Sequence, residues 1–210
     1  LEDAEQLVRV SRPVSTAFEM TEIQTRLLAE GGPAVLFENP VGENGQVFDI
    51  PVLTNLFGSV ARVAKGMERA PAGLRELGET LAFLRQPEPP GGWREALELI
   101  PMVKAAFTMK PKTVSKAAVH DIVYTGDDID LARLPVQTCW PGEPAPLITW
   151  PIVVTKGPTD SKEDDFNLGI YRMQVTGRDT TLMRWLRHRG GAQHHARWKA
   201  EKSDPLPAAV

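Results

Sequence analysis

The side chains best able to do chemistry sit in two stretches, Asn167-Leu168-Gly169-Ile170-Tyr171-Arg172 and Met183-Arg184-Trp185-Leu186-Arg187-His188-Arg189-Gly190-Gly191. Between them, Val175-Thr176-Gly177-Arg178-Asp179 places a glycine beside charged residues and between two apolar-rich runs, which is a turn signal. The sequence therefore predicts two strands, over 168–176 and 181–187, paired as a hairpin. Alternation along a strand puts Ile170 and Arg172 on one face and Tyr171 on the other. It likewise puts Arg184 and Leu186 together, with Trp185 opposite. Guanidinium forks bind phosphate oxygens, and glycine lets backbone N–H groups come close to an anion. Arginines on paired strands beside Gly190-Gly191 thus suit a bound phosphate.

Other readings of the same residues stand beside this one. Arginines on a hairpin are commonly solvated, and a Gly-Gly pair is commonly just a turn. The stretch 180–200 holds Arg184, Arg187, Arg189, Arg197 and Lys199 with no acidic residue, interleaved with Trp185 and Trp198, which is the composition of a nucleic-acid surface. Against that, the whole chain carries a net charge of −3 and has no second basic stretch to extend a footprint. Asn167, taken alone, reads most simply as a turn asparagine, and Glu38 as a surface carboxylate at a strand end. The histidines are His120, His188, His194 and His195, and the adjacent pair lacks the i,i+4 spacing that puts two zinc ligands on one helix face. Neither a Walker loop nor a Gly-x-Gly-x-x-Gly loop follows a strand.

The elements that must position these groups can be read in chain order. Residues 18–30 form an amphipathic helix with Ile23, Leu27 and Leu28 at helical spacing, ended by Gly31-Gly32. Ala34–Phe37 is a short apolar strand, and Val47–Leu53 a second one after a Gly- and Asn-rich loop. A helix over 60–67 starts from Ser59 as N-cap. Another over 72–84 carries Leu74, Leu77, Leu81 and Leu84 as a stripe expected to enter the core. A proline-rich connector at 86–92 and a helix over 93–107 follow. From Thr113 the character changes: strands are expected over 119–124 and 149–156, with Pro151 at an edge or bulge, then a charged loop at 156–165 and the hairpin. A helix is expected over 190–200. These patterns give an α/β N-terminal domain over 1–112 and a β-rich part over 113–210 of barrel or sandwich type, α+β as a whole.

Composition bounds the rest. With 210 residues, of which 42% are hydrophobic, the chain can bury a sizeable core, while 18 prolines and 17 glycines keep its elements short. The single cysteine, Cys139, excludes an internal disulfide, fits a reducing compartment and reads as a small buried residue. No run of apolar residues is long enough for a transmembrane segment, and no signal peptide is visible. The chain opens on Leu1 and stops at Val210, where an apolar strand begins, so the expectation is a truncated or cleaved front portion of a longer protein.

Phe37-Glu38-Asn39-Pro40, Asn55-Leu56-Phe57-Gly58, Thr138-Cys139-Trp140-Pro141, Ala145-Pro146-Leu147-Ile148-Thr149-Trp150, Asn167 to Arg172 and Arg184 to Gly191 occur in one order over nearly the whole chain. In that order they resemble the UbiD family of prenylated-FMN-dependent decarboxylases, and most nearly its branch of 3-polyprenyl-4-hydroxybenzoate carboxy-lyases of ubiquinone biosynthesis. The likeness extends over the N-terminal part of a family member only. It implies that 113–210 supplies the first strands of a split β-barrel similar to flavin reductases. It implies non-oxidative removal of CO₂ from 3-polyprenyl-4-hydroxybenzoate or a related aromatic or unsaturated acid. The implied cofactors are prenylated FMN and Mn²⁺ or Mg²⁺, with K⁺ as a further ion.

The resemblance also implies roles. Asn167 matches a metal ligand, and Ile170, Tyr171 and Arg172 match a flavin-contacting segment. Arg172 is the implied catalytic residue, pairing with the substrate carboxylate and stabilising negative charge. Arg184, Trp185 and Leu186 match a second cofactor segment, and Arg189 with Gly190 a third at the phosphate end. Some members have a histidine ligand where this chain has Gly190, a departure shared with the ubiquinone branch. The family's metal carboxylate and acid–base carboxylates fall beyond Val210, so 1–210 alone is expected to be inactive. Implied partners are the aromatic acid, a flavin prenyltransferase as cofactor supplier, and further copies of the chain in a homo-oligomer such as a hexamer. Nucleic acid is not among them. The implied location is cytoplasmic, with peripheral association at the inner face of the cell membrane. Two rival functions remain at this point: an inactive flavin- or nucleotide-binding module, and a nucleic-acid-binding protein using 184–199.

Overall fold

The computed structural model describes residues 1–86, 91–93, 97, 99–100, 104, 112–158 and 165–210. The proline-rich connector at 86–92, the helix expected over 93–107 and the charged loop at 156–165 fall for the most part outside the described residues.

In the first half, β1 (Leu7–Val10), β2 (Val14–Ser15), α1 (Glu19–Ala29), β3 (Ala34–Phe37), β4 (Pro40–Val41) and β5 (Val52–Thr54) follow one another. β1 and β3 pair in parallel, Leu7 with Ala34 through Val10 with Phe37, and β5 runs antiparallel on the other side of β3. A short parallel pair, β2 with β4, lies beside this sheet. Alternation is weak in Ala34-Val35-Leu36-Phe37 because the central strand is covered on both sides. Met20, Ile23 and Leu27 repeat along one face of α1 and meet Val14, Val35 and Phe37, which form the core cluster. Each such fully buried side chain contributes about 1.5–3 kcal/mol.

α2 (Val60–Gly66) starts where the sequence places it, with the Ser59 hydroxyl accepting from the Arg62 N–H at 3.2 Å. α3 (Gly73–Arg85) also forms, but none of its residues is buried, and Leu81 of the expected core stripe is exposed. The strand expected over 47–53 is shorter than its pattern suggests. Only Val52–Thr54 pairs, while Val47 makes a single bridge to Val41 before the chain reaches Pro51, which has no N–H to give a ladder.

In the second half, β6 (Leu147–Ile148), β9 (Met173–Val175) and β10 (Thr181–Met183) form one three-stranded sheet. β7 (Ile152–Lys156), β8 (Phe166–Ile170) and β11 (Ala208–Ala209) form another, in the order β11-β7-β8. α4 (Gly190–Glu201) lies against β7 and β8. The expected hairpin exists as β9–β10, with Thr181 opposite Val175 and Met183 opposite Met173. Its first strand is not continuous, however: 166–170 and 173–175 belong to different sheets, and the chain crosses between them at Tyr171-Arg172. The strand expected over 119–124 is absent. A 3-10 turn occupies Ala118–His120, Val119 is 78% exposed, and Tyr124 instead stacks under the Arg133 guanidinium at 4.4 Å. The architecture is thus mixed α/β with several small sheets.

The halves meet along a seam. Ala17 bridges Thr138 in parallel, with the Phe18 N–H donating to the Thr138 carbonyl at 2.9 Å and the Thr138 N–H to the Thr16 carbonyl at 3.2 Å. Phe18 enters α1 at φ 64, so this bridge holds a backbone conformation that a bulky residue rarely adopts. No helix among the described residues is long and apolar enough to cross a membrane.

Candidate functional site

The crossing at Tyr171-Arg172 builds the site. Alternation persists through it: Leu168, Ile170 and Arg172 are exposed, while Tyr171 turns inward and is only 9% exposed. The Tyr171 hydroxyl accepts from the Gly191 N–H at 3.0 Å and from Asn167 Nδ2 at 3.3 Å. One phenol thereby ties β8 to the first turn of α4. The ring can fold back only because residue 169 is glycine; a Cβ there would lie 2.5 Å from the Tyr171 Cζ. Trp185 meets Tyr171 edge-on at 5.8 Å and His195 at 6.0 Å, so the indole packs behind the crossing.

In front of it lies an open concavity of about 760 Å³, within the range of ligand sites. Asn167, Ile170, Tyr171, Arg172, Arg184, Leu186, Arg189 and Gly190 all line it. Of the residues singled out from the sequence, only Trp185 is not on its wall. Among the described residues no carboxylate lines it, and Arg172, Arg184 and Arg189 give it three guanidinium groups. α4 opens on this concavity at Gly190, with Arg189 in the N-cap position making no side-chain cap; of the first-turn N–H groups, that of Gly191 goes to the Tyr171 hydroxyl. A helix start without an N-cap side chain and guanidinium forks both favour a bound anion.

The position of Gly190 is set by contact. A Cβ added there would stand 1.9 Å from Asn167 Oδ1, so the amide oxygen and the helix start share one point. With Nδ2 given to Tyr171, the oxygen of Asn167 is the atom turned toward Gly190. The residues present fit a phosphate. For a divalent cation they offer one neutral oxygen, and no group of three or more His, Cys, Asp or Glu among the described residues could hold a metal ion. By themselves they do not fit a metal.

A second cavity, of about 560 Å³, opens along the seam. Thr21 and Gln24 of α1, the Asn55–Gly58 loop, Cys139, Thr149 and Trp150 line it, and Arg172 is the residue it shares with the first. Phe57 and Trp150, one from each half, meet with ring centroids 5.3 Å apart. The loop is stapled from beneath. Arg62 is buried and donates to the carbonyls of Asn55 and Leu56 at 3.1 and 3.2 Å, and Asn55 donates to the carbonyls of Gly32 and Pro33 at 3.1 and 2.9 Å. Burial pushes the Cys139 thiol up, against a hydrogen bond with Thr21 that lowers it; Glu143 adds to the rise and Arg172 opposes it. Sequence reasoning gave the residues of 1–86 no part in a site. The available signal was the order of Asn55–Gly58 and Thr138–Pro141, without a role attached to either.

The basic run at 184–199 does not present one face. Arg184 and Arg189 turn to the first concavity, Arg197 pairs with Asp165 at 2.8 Å, and Trp198 Nε1 donates to the Asp204 carbonyl at 2.8 Å. Its aromatics are therefore committed to packing, which weakens the nucleic-acid reading.

The UbiD family model for the 3-octaprenyl-4-hydroxybenzoate carboxy-lyase N-terminal domain matches residues 1–81, and that for the Rift-related domain of the same carboxy-lyase matches 112–210. Among solved structures, the chain is similar to the UbiD-class enzyme HmfF of Pelotomaculum thermopropionicum in complex with FMN, at 26% identity and TM-score 0.71, covering 99% of this chain and 39% of that one. It is similar to an evolved dimeric form of HmfF in complex with prFMN, at 25% identity and TM-score 0.70, covering 98% and 40%. The closed form of vanillic acid decarboxylase of Sedimentibacter hydroxybenzoicus shares the fold, at 23% identity and TM-score 0.73, covering 99% and 40%. The chain spans about two fifths of the length of these structures, 39% of the first.

Proposed function

Because the chain belongs to the UbiD family, we propose that it carries the prenylated-FMN-binding part of a non-oxidative decarboxylase acting on an aromatic acid, with 3-polyprenyl-4-hydroxybenzoate the favoured substrate. One observation supports this most directly: Arg172 is the residue common to the arginine-rich concavity and the seam cavity. A cation at the junction of an anion-holding hollow and an aromatic-edged cleft can meet a cofactor on one side and a carboxylate on the other. The FMN and prFMN bound to the HmfF structures support the flavin.

In this reading Arg184, Arg189 and the N–H groups opening α4 hold the flavin phosphate, while Ile170 and Leu186 give the ring an apolar bed. Asn167 would offer its oxygen to a Mn²⁺ or Mg²⁺, which would need further ligands that these cavities do not supply. When bound, the prenylated flavin supplies the electron sink that allows the carbon–carbon bond to CO₂ to break. Arg172 binds and orients the substrate carboxylate with a planar fork, and Phe57 and Trp150 exclude water from the aryl end. Among the described residues, neither cavity is lined by a carboxylic acid that could return a proton to carbon. We therefore expect 1–210 alone to show no turnover. Two domains meeting near residue 112, a split β-barrel completed outside this sequence, a homo-oligomer and a prenyltransferase supplying the cofactor belong to the same proposal.

The test is steady-state decarboxylation by the full-length enzyme at matched flavin occupancy. Arg172→Ala should lower kcat/KM by about a hundredfold or more, about 2.7 kcal/mol, the size of losing a preorganised charge-stabilising group. Arg172→Lys, which keeps charge but not the fork, should fall between. A near-wild-type Arg172→Ala would remove the arginine from the active centre.

A further inference from the structure

Behind the arginine-rich concavity lies a cluster that the proposed chemistry does not use. His194 is 6% exposed and Thr155 1% exposed. His194 Nδ1 lies 3.0 Å from Thr155 Oγ1, and Nε2 lies 3.3 Å from Asp165 Oδ1. Arg197 Nη2 reaches the same Asp165 oxygen at 2.8 Å, and the Gly157 N–H donates to the Asp165 main-chain carbonyl at 2.8 Å. A carboxylate only accepts, so Nε2 carries a proton, and in the neutral ring Nδ1 accepts from the Thr155 hydroxyl.

The cluster's place in the fold gives it a consequence. Thr155 stands directly opposite Asn167 in the β7–β8 ladder. Asp165 is two residues before Asn167, hence on the same side of the sheet. His194 is four residues after Gly190, hence on the same face of α4. Besides the Tyr171 tie to Gly191 and the Arg197–Asp165 pair, two contacts in register therefore hold α4 over β8: Gly190 on the Asn167 oxygen, and His194 on Asp165 one helical turn away. The first is a bare touch of backbone on amide. The second is a polar clip, a hydrogen bond to Thr155 on one ring nitrogen and a carboxylate at 3.3 Å from the other, and an apolar side chain there could pack without fixing the height of the helix.

We propose that His194 is a positioning residue for the phosphate site: by bridging Thr155 and Asp165 it fixes the register of α4 over β8, and with it the distance between the Asn167 oxygen and the N–H groups that open α4. This rests on reading the arginine-rich concavity as the seat of the flavin phosphate. His194 itself touches neither cofactor nor substrate.

The experiment compares FMN with riboflavin, which has the same ring system and no phosphate, by flavin fluorescence quenching on the full chain. Wild type should prefer FMN. His194→Ala should weaken FMN by about tenfold, the scale of losing an outer-shell partner, and leave riboflavin unchanged. His194→Gln, whose amide reaches toward Asp165, should restore most of the FMN affinity, whereas His194→Asn, which reaches only Thr155, should not. Should His194→Ala fail to fold by circular dichroism, Asp165→Asn serves in its place and should show the same FMN-selective loss. FMN affinity within twofold of wild type in the folded variants, or equal losses of FMN and riboflavin, would overturn the proposal. A wild type that binds both flavins equally would instead overturn the phosphate reading beneath it.

Discussion

Gly190 is where a single atom would do most harm. A methyl group at that position would stand 1.9 Å from Asn167 Oδ1, so either the amide rotates away or α4 lifts from β8. Both outcomes separate the Asn167 oxygen from the helix start that it accompanies. Alanine is the better helix former by about 1 kcal/mol, so helix propensity alone predicts a more stable protein. The site geometry predicts instead that Gly190→Ala keeps its circular dichroism spectrum and loses FMN affinity by about tenfold or more, the scale of disturbing residues around a bound ion. Asn167→Ala should weaken FMN and Mn²⁺ together in the full-length protein. Equal FMN affinity in Gly190→Ala and wild type, measured by fluorescence titration, would show that the contact is packing without a ligand in front of it. Arg172, Arg184 and Arg189 were legible as anion-binding groups because their chemistry is carried by residue type, whereas Asn167, by type a turn residue, entered only through the resemblance. Trp185 was matched to a cofactor segment only by resemblance; strand alternation put it opposite Arg184 and Leu186, and it does stand behind Tyr171, off the wall that those two line.

At the scale of elements, the crossing at Tyr171-Arg172 decides everything in front of it. Local patterns could announce the hairpin turn at Thr176–Thr180, since a glycine beside charged residues is a local signal. They could not announce that 166–170 and 173–175 join different sheets, because the alternation of faces continues unbroken through the crossing. What fixes the break is tertiary: Gly169 leaves room for the Tyr171 ring, and the Gly191 N–H reaches its hydroxyl at 3.0 Å. The same limit explains the strand expected over 119–124, where an apolar run exists but no neighbour pairs with it. Helices fared better, because Ser59 caps α2 and a period of apolar residues marks α1 without reference to the rest of the chain. Tyr171→Phe isolates the tie between β8 and α4. It keeps the ring and removes the acceptor of the Gly191 N–H. A buried donor left without a partner costs about 1–3 kcal/mol. Urea unfolding should report a loss of that size, and FMN binding should weaken with it. A variant as stable as wild type would mean that α4 is seated by other contacts, the His194 clip foremost.

At the scale of the whole molecule, the question is whether the seam behaves as one closed cleft, and Cys139 is placed to report it. The thiol is 7% exposed, lines the seam cavity and is pushed up by burial. The thiolate is the reactive form, so iodoacetamide should label Cys139 more slowly in the native protein than in the urea-unfolded chain at neutral pH. The native rate should go on rising past the ordinary thiol range and level off at higher pH than that of the unfolded chain. The linkage has a definite sign. The unfolded chain gives up this proton at lower pH than the native one, so the contribution of Cys139 to stability is fully present below the ordinary thiol value. It is lost as pH climbs through the raised one. Shielding by the seam can be separated from the shift in acidity by substitution at a distance from the sulfur. Trp150→Ala removes an aromatic contact with Phe57 worth about 0.5–1.5 kcal/mol, and a seam loosened by that much should label about two- to tenfold faster at a fixed pH. An aromatic acid seated against Arg172 should slow labelling of the wild type and have less effect on Trp150→Ala. Native labelling as fast as unfolded, indifferent to Trp150→Ala and to the acid, would mean that the two halves do not enclose a cleft, and the placing of the substrate between them would have to be given up.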